Sequence, residues 1–142
     1  MYKISRTYTF SAAHRIEGHP KCGRLHGHNY KVTVTLSGET LPDDGMLMDF
    51  GVLDEVTKPY FDQEFDHRYL VSEQNIDADD PYIESAPQGH ICYLLTRTST
   101  AETLAKKFFD ELSHRLDTLF LKVCSVSVEE TERNTAYYER EG

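Results

Sequence analysis

The stretch that decides the fold is KCGRLHGHNYKVTVTLS, residues 21–37. From residue 28 onward, apolar and polar side chains alternate, which is typical of a strand with one buried face and one exposed face. At the start of this strand, His26 and His28 are two residues apart, so their imidazoles point to the same side across Gly27. Two adjacent imidazoles make half of a metal site.

A catalytic zinc site needs a third protein ligand and keeps one position open for water or substrate. His14 is the candidate, because it ends a strand predicted over residues 2–14 and we expect that strand to pair with the one that follows His28. A single histidine is more often a surface or core residue without a metal. The His-Gly-His spacing beside a cysteine favours a metal site here. The strand residues that share the parity of His14 are Tyr2, Ile4, Tyr8, Phe10 and Ala12.

Length and charge limit the classes of function. With 142 residues, the chain is long enough for one hydrophobic core and too short for two, so residues 1–142 are expected to form a single domain. The net charge is -9, from 24 acidic and 15 basic residues, which disfavours nucleic acid or an anionic membrane as the main partner. A phosphorylated substrate would need a local basic pocket.

The three cysteines differ in their sequence surroundings. An odd number of cysteines, without a signal peptide or a long apolar segment, favours a cytoplasmic protein without a disulfide framework. Cys92 and Cys124 lie among apolar residues and are expected to be small buried side chains. Cys22 lies in a predicted loop over residues 17–25, where the positive charges of Lys21 and Arg24 favour a reactive thiolate.

The remaining periodicities predict the element order strand, strand, helix, helix, strand, strand. Asp49 is a candidate N-cap for the first helix, and Pro59 should end or kink that helix. Residues 72–90 are polar and acidic, so they predict an exposed, solvated excursion. Residues 91–95 follow it as a short strand or an extended lead-in to the second helix. Ser99 to Glu102 has the capping-box pattern of a second helix that runs to about Leu119. Residues 123–130 and 135–139 complete the strands.

Two further features involve carboxylates. Glu130 shares its parity with Val126 and Val128, which places a carboxylate at the edge of an apolar surface. Asp66 and His67 put an acid next to a base. Taken alone, a glutamate at a strand end is usually solvated, and an Asp-His pair is common by chance.

Six motifs occur in an order that resembles the 6-pyruvoyltetrahydropterin synthase and 6-carboxytetrahydropterin synthase family. The resemblance covers nearly the whole chain, and the motifs together are highly specific. Two features depart from the family pattern: Ser99 stands where the family usually has proline, and residues 72–95 are longer than is typical. The motifs are Phe10-Ser11-Ala12-Ala13-His14, Cys22-x-x-x-His26-Gly27-His28-Asn29-Tyr30, Met48-Asp49-Phe50, Phe65-Asp66-His67, Thr100-Ala101-Glu102 and Glu130-Thr131.

The resemblance implies a fold and a set of roles. The fold is an α+β T-fold, a four-stranded antiparallel sheet with two helices packed on one face, whose subunits assemble into barrels, commonly hexamers. The roles it implies are zinc ligands at His14, His26 and His28, a catalytic acid/base at Cys22 with Asp66 and His67 completing the proton-transfer group, and a pterin anchor at Glu130.

The resemblance also implies a substrate, 7,8-dihydroneopterin triphosphate. The four-residue step from Cys22 to His26 is similar to the carboxy-forming bacterial enzymes of the 7-deazapurine (queuosine-type) pathway. That branch makes 6-carboxy-5,6,7,8-tetrahydropterin and releases acetaldehyde and triphosphate. Pyruvoyl-forming enzymes, which eliminate triphosphate alone, are the alternative. An alternative from a different class of function is a non-catalytic module that binds zinc and pterin. Three histidines without a fourth protein ligand argue against a structural zinc site.

Overall fold

A computed structural model describes residues 1–142 of the chain. None of its helices is both long and apolar enough to cross a membrane. The elements, in chain order, are β1 (Tyr2–His14), β2 (His26–Gly38), α1 (Phe50–Glu64), β3 (Arg68–Val71), α2 (Glu73–Asp77), α3 (Pro81–Ser85), β4 (Ile91–Tyr93), α4 (Ala101–Leu116), β5 (Lys122–Thr131) and β6 (Asn134–Glu139).

The strands form one sheet in the order β4-β3-β1-β2-β5-β6. The four long strands pair antiparallel, as the sequence predicts. The two short strands β3 and β4 extend the sheet from β1 by parallel pairing. The expected four-stranded sheet is therefore present as part of a six-stranded one. Strand β3 was missed because four residues are too few to show an alternation.

The long helices α1 and α4 cover one face of the sheet, and the hydrophobic core lies between them and that face. Tyr30, Val32, Val34 and Leu36 of β2 point into this core and are fully buried, in the predicted alternation. Aromatic rings from three elements meet there, with Phe10 stacked on Phe61 and edge-on to Phe108. The opposite face of β1 and β2 is polar and largely exposed.

Helix α1 corrects one expectation from sequence. Asp49 caps it as predicted, since its carboxylate accepts the N–H of Gly51. Pro59, however, does not end the helix, which continues to Glu64. A proline removes one backbone hydrogen bond, and here its ring is exposed while the next residues, Tyr60 and Phe61, are buried in the core. Tertiary packing of the following turn therefore outweighs the local penalty.

Helix α4 is shorter than predicted at both ends. Its N-cap is Thr100, whose hydroxyl accepts the N–H of Thr103, so the predicted capping box from Ser99 to Glu102 was wrong by one residue. The helix ends at Leu116, and Leu119, predicted to lie at its end, is 84% exposed and outside it. The chain turns extended at Asp117, whose carboxylate accepts the N–H of Val123 and so starts β5.

The acidic excursion also differs from the prediction. Residues 72–90 contain the two short helices α2 and α3 instead of a solvated loop. Ser72, Asn75 and Asp80 are buried there, although each is polar. Helices of five residues show no usable periodicity in the sequence, and Arg15, which contacts both Asn75 and Asp80, lies far away along the chain.

Candidate metal centre and substrate cleft

Three imidazoles converge where β1 ends and β2 begins. The register of the antiparallel pair sets His14 opposite His26 and Ala12 opposite His28, so all three histidines share the core-side face. Their ring centroids are 4.7 to 5.1 Å apart. One nitrogen from each ring lies within 4.8 Å of those of the other two. The structure thus brings together the three residues that the parity argument selected.

Hydrogen bonds fix which nitrogen of two of these rings is free. The carbonyl of Ser99 can only accept, so Nδ1–H of His14 donates to it at 2.8 Å. In the same way, Nδ1–H of His26 donates to the carbonyl of Arg24 at 2.7 Å. Each ring is therefore held in the tautomer that leaves Nε2 with its lone pair.

The free nitrogen of His14 is an unusual buried group. His14 is 1% exposed, and its Nε2 has no hydrogen-bond partner. A buried polar atom without a partner is costly, and a metal ion would satisfy it. Burial lowers the pKa of His14 to about 4 and also lowers the pKa of His28, which keeps both rings in the neutral form that binds metals.

The donor set fits zinc. Neutral imidazole nitrogen is a preferred zinc ligand, and tetrahedral zinc with Zn–N bonds of about 2.0–2.1 Å holds its nitrogens about 3.4 Å apart. Nitrogens that lie within 4.8 Å of one another can reach that spacing by small side-chain movements. Three protein ligands leave a fourth position for water or substrate.

Cys22 lies in a tightly closed loop between β1 and β2. The N–H of Ile16 donates to the carbonyl of Cys22 at 2.7 Å, and Nδ1 of His19 accepts the N–H of Cys22 at 2.8 Å. Gly23 is required in this loop, because a Cβ there would lie 2.5 Å from the carbonyl oxygen of His19. The thiol is half-buried and free, and it stands outside the histidine cluster.

The other two cysteines are poorer candidates for proton transfer. Burial raises the pKa of the Cys92 thiol to about 11, so this thiol stays protonated at neutral pH. Cys124 is a half-buried residue of β5. Both were expected to be buried and are only partly buried, with Cys92 packed against the core.

Asp66 and His67 form a hydrogen-bonded pair at the edge of β1. Oδ2 of Asp66 lies 2.9 Å from Nδ1 of His67, while Oδ1 accepts the N–H of Ser11. The Ser11 N–H and His67 hold the pKa of Asp66 below its usual value, against a smaller opposing effect of burial. His67 has a left-handed backbone (φ 60°), and its N–H donates to the carbonyl of Ser11. The imidazole is 81% exposed, so its second nitrogen is available to a ligand.

A cleft of about 580 Å³ has His28 and His67 in its wall, whereas His14, His26 and Asp66 do not line it. Tyr82, Ala86 and His90 of the excursion form another part of the wall. Cys22 does not line this cleft. Within a single chain, His28 and His67 therefore share one cleft, and Cys22 lies outside both this cleft and the histidine cluster.

Glu130 lies on the other side of the histidine cluster. Its Oε1 is 3.9 Å from the orphan Nε2 of His14, and its side chain is 22% exposed. Burial, and then the neighbouring carboxylate of Glu102, raises the pKa of Glu130. Both glutamates line a smaller cleft of about 370 Å³ between α4 and the turn from β5 to β6.

Sequence reasoning missed Tyr30 as part of this region. Its ring lies 5.3 Å from that of His28, and its buried hydroxyl has no partner. Burial and the charge of Glu130 raise the pKa of Tyr30, so the hydroxyl remains a neutral donor. The alternation that selected His26 and His28 continues to Tyr30 and could have identified it.

Comparison with known proteins places this geometry in a family. Residues 3–141 match the family model described as 6-pyruvoyl tetrahydropterin synthase. The chain belongs to the 6-pyruvoyl tetrahydropterin synthase family. The 6-carboxy-5,6,7,8-tetrahydropterin synthase of Rickettsia bellii is 34% identical over 117 residues, which cover 82% of this chain and 83% of that protein. The enzyme of the same name from Bacillus subtilis is 33% identical over 138 residues, covering 96% and 82%.

A solved member of the synthase family has the same fold. The 6-pyruvoyl tetrahydropterin synthase of Caenorhabditis elegans superposes with a TM-score of 0.70 at 27% identity, and the match covers 99% of this chain and 96% of that one. The α+β T-fold expected from the resemblance is confirmed. The strands β3 and β4 and the helices α2 and α3 are additions to the four strands and two helices expected.

Proposed function

We propose that the protein is a zinc-dependent 6-carboxy-5,6,7,8-tetrahydropterin synthase that acts on 7,8-dihydroneopterin triphosphate. The observation that carries the proposal is the orphan Nε2 of His14, buried beside two more imidazoles in a chain that belongs to the synthase family. The two bacterial relatives described above carry the name of the carboxy-forming enzyme, which supports this branch.

The proposal assigns His14, His26 and His28 to zinc. When bound, zinc supplies Lewis acidity toward the side-chain hydroxyls of the substrate, which favours their deprotonation. The carbonyls of Ser99 and Arg24 accept hydrogen bonds from His14 and His26 and so orient these two imidazoles before a metal ion binds. His14 is also held by its burial. The protein thus contributes the tautomers and the low-dielectric wall of the site.

Glu130 is assigned to the pterin ring. The amidine-like edge of a pterin presents parallel N–H donors, for which a carboxylate is the fitting bidentate acceptor. Glu130 is partly buried and within 3.9 Å of the ring of His14, so a pterin bound by it would lie against the histidine cluster. Its position is consistent with an anchor that fixes the substrate relative to the metal.

Proton transfer is assigned to Cys22 together with Asp66 and His67. The aspartate orients His67 through Nδ1, which leaves Nε2 to exchange a proton with the substrate. Cys22 is separated from this pair within one chain. We therefore propose a homo-oligomer, of which the hexamer common in the family is one form, with sites at subunit boundaries. The open sheet edges at β4 and β6 are suited to such contacts.

Product analysis tests the reaction. The purified, zinc-loaded protein should convert 7,8-dihydroneopterin triphosphate to a 6-carboxy pterin and release acetaldehyde and triphosphate, because cutting the side chain between its first and second carbons leaves a one-carbon acid. The pyruvoyl-forming alternative, favoured by the name of the Caenorhabditis elegans structure, releases triphosphate alone. The proposal places the protein in the cytoplasm, in queuosine-type biosynthesis, with no nucleic-acid or membrane partner.

A further inference from the structure

The excursion, residues 72–90, is tied to the strand end that carries His14. Its central contact is Asp80, whose side chain is completely buried. The hydroxyl of Tyr69 donates to one carboxylate oxygen of Asp80, and Nη1 of Arg15 lies 3.3 Å from the same oxygen. A buried carboxylate is stable only when it is paired, so these contacts fix Asp80 and Arg15 relative to each other.

A second contact holds the main chain at the same residue. The carbonyl of Arg15 accepts hydrogen bonds from Nδ2 of Asn75 at 3.5 Å and from the hydroxyl of Ser99 at 3.3 Å. Asn75 is fully buried, and its Oδ1 accepts the N–H and the hydroxyl of Ser72. The excursion thus contacts Arg15 at its carbonyl and at its guanidinium, which also pairs with Glu17 at 2.7 Å.

These contacts lead directly to the metal site. Arg15 follows His14 in the chain, and Ser99, which bonds the Arg15 carbonyl, offers its own carbonyl to Nδ1–H of His14. A proline at position 99 would keep that carbonyl but could not supply the hydroxyl. The two departures from the family pattern, the long excursion and the serine, therefore meet at one point beside His14.

We propose that the excursion is a strap that positions the His14 imidazole for metal binding, with Asp80 and Ser99 as positioning residues. This inference rests on the proposed function, since it assumes that the three histidines hold a metal. Groups that hydrogen-bond a ligating histidine orient its ring, and their loss typically weakens metal affinity about 10–100-fold. The strap does the same one step further out, by holding Arg15, whose carbonyl also accepts the hydroxyl of Ser99.

A matched control can separate the positioning of His14 from a purely structural role of the strap. The control is Asp54 of α1, which contacts two residues of β1. Asp54 accepts the hydroxyl of Tyr8 at 2.8 Å and pairs with Arg6 at 2.9 Å. This is the same Tyr-Asp-Arg chemistry as at Asp80. Arg6 lies eight residues before His14, about 26 Å away along the strand. A change there should affect stability without affecting the metal site.

The experiment compares Asp80→Asn, Ser99→Ala and Asp54→Asn with the wild type. Asparagine keeps the size of Asp80 and its capping of α3, and removes the charge that pairs with Arg15. Zinc affinity is measured by competition with a chelator, the visible spectrum of the cobalt-substituted protein reports ligand geometry, and circular dichroism confirms folding. We expect Asp80→Asn to weaken zinc binding about 10-fold or more and to alter the cobalt spectrum.

We expect Ser99→Ala to weaken zinc binding in the same direction, and Asp54→Asn to stay within about twofold of the wild type. If Asp80→Asn does not fold, Asn75→Ala decides, because it removes the hydrogen bond from the excursion to the carbonyl of Arg15. Wild-type affinity and spectrum in the folded strap variants, or an equal loss in Asp54→Asn, would overturn the strap. A wild-type protein that binds no zinc would instead overturn the proposed function, so the two failures are distinguishable.

Discussion

Replacing Glu130 with glutamine isolates the carboxylate proposed to hold the pterin ring. The side chain keeps its length, but one acceptor oxygen becomes an NH2 donor that would face the donors of the ring. Glu130 is only 22% exposed, so water compensates poorly for a lost partner there. A hydrogen bond that involves a charged group contributes about 1.5–3 kcal/mol, and losing one therefore predicts a Kd about 10- to 150-fold higher.

Glu129 provides the matched control for this substitution. It precedes Glu130 in β5, and its carboxylate lies 3.8 Å from the exposed ammonium of Lys31. Surface pairs of this kind contribute at most about 1 kcal/mol to stability, and nothing to a ligand on the opposite face. Glu129→Gln should therefore bind pterin as the wild type does.

The assay is fluorescence or calorimetric titration with 7,8-dihydroneopterin, which lacks the triphosphate and so reports on the ring. Zinc content is measured in parallel and should be unchanged in both variants, because neither glutamate belongs to the three-histidine group. Equal pterin affinity in Glu130→Gln and Glu129→Gln would refute the anchor. Loss of zinc in Glu130→Gln would refute its assignment to the ring alone.

Three further outcomes are expected. His26→Ala and His28→Ala should each weaken zinc binding about 100-fold or more by losing one of three ligands, while the exposed His114→Ala keeps full metal content by atomic absorption. Cys22→Ala should keep zinc and pterin binding while its turnover falls about 10²-fold or more, and Cys124→Ala should turn over at the wild-type rate. Equal turnover rates in the two variants would show that Cys22 takes no part in the chemistry. Sedimentation should show an oligomer, and a monomer with full activity would contradict sites at subunit boundaries.

The histidine cluster could be predicted from sequence because it depends on strand parity. Side chains two residues apart on a strand share a face. Because β1 and β2 are antiparallel and equally long, the end of β1 lies beside the start of β2. His14, His26 and His28 therefore converge as soon as the two strands are recognised. Glu130 follows the same rule through its parity with Val126 and Val128 of β5, both of which are buried.

The excursion could not be predicted in this way. Asp80 is buried because Tyr69 and Arg15 satisfy it, and both lie at least ten residues away in the chain. Composition alone assigned this acidic segment to solvent, since most carboxylates are exposed. Pro59 shows the same limit, because the packing of the turn that follows it is a tertiary effect. Local propensity predicts neither the burial of Asp80 nor the continuation of α1 past Pro59.

The relation between Cys22 and the Asp66–His67 pair also lies beyond sequence reasoning. Spacing predicts where side chains point along a strand, but it does not predict how a closed loop or a residue with a left-handed backbone presents them. The Cys22 loop is fixed by His19 and Gly23, and His67 by its bond to Ser11. Both arrangements become visible only in the folded chain.

The most direct test of the central claim is the stoichiometry of products from 7,8-dihydroneopterin triphosphate. Zinc-loaded wild-type protein is incubated with the substrate, acetaldehyde is followed by coupled reduction with NADH, and triphosphate and the pterin are quantified by chromatography and mass spectrometry. The account predicts equal amounts of acetaldehyde, triphosphate and 6-carboxy-5,6,7,8-tetrahydropterin, and acetaldehyde release about 10²-fold slower or more from Cys22→Ala. Triphosphate without acetaldehyde would move the protein to the pyruvoyl-forming branch, and zinc and pterin binding without turnover would contradict the assignment of an enzyme.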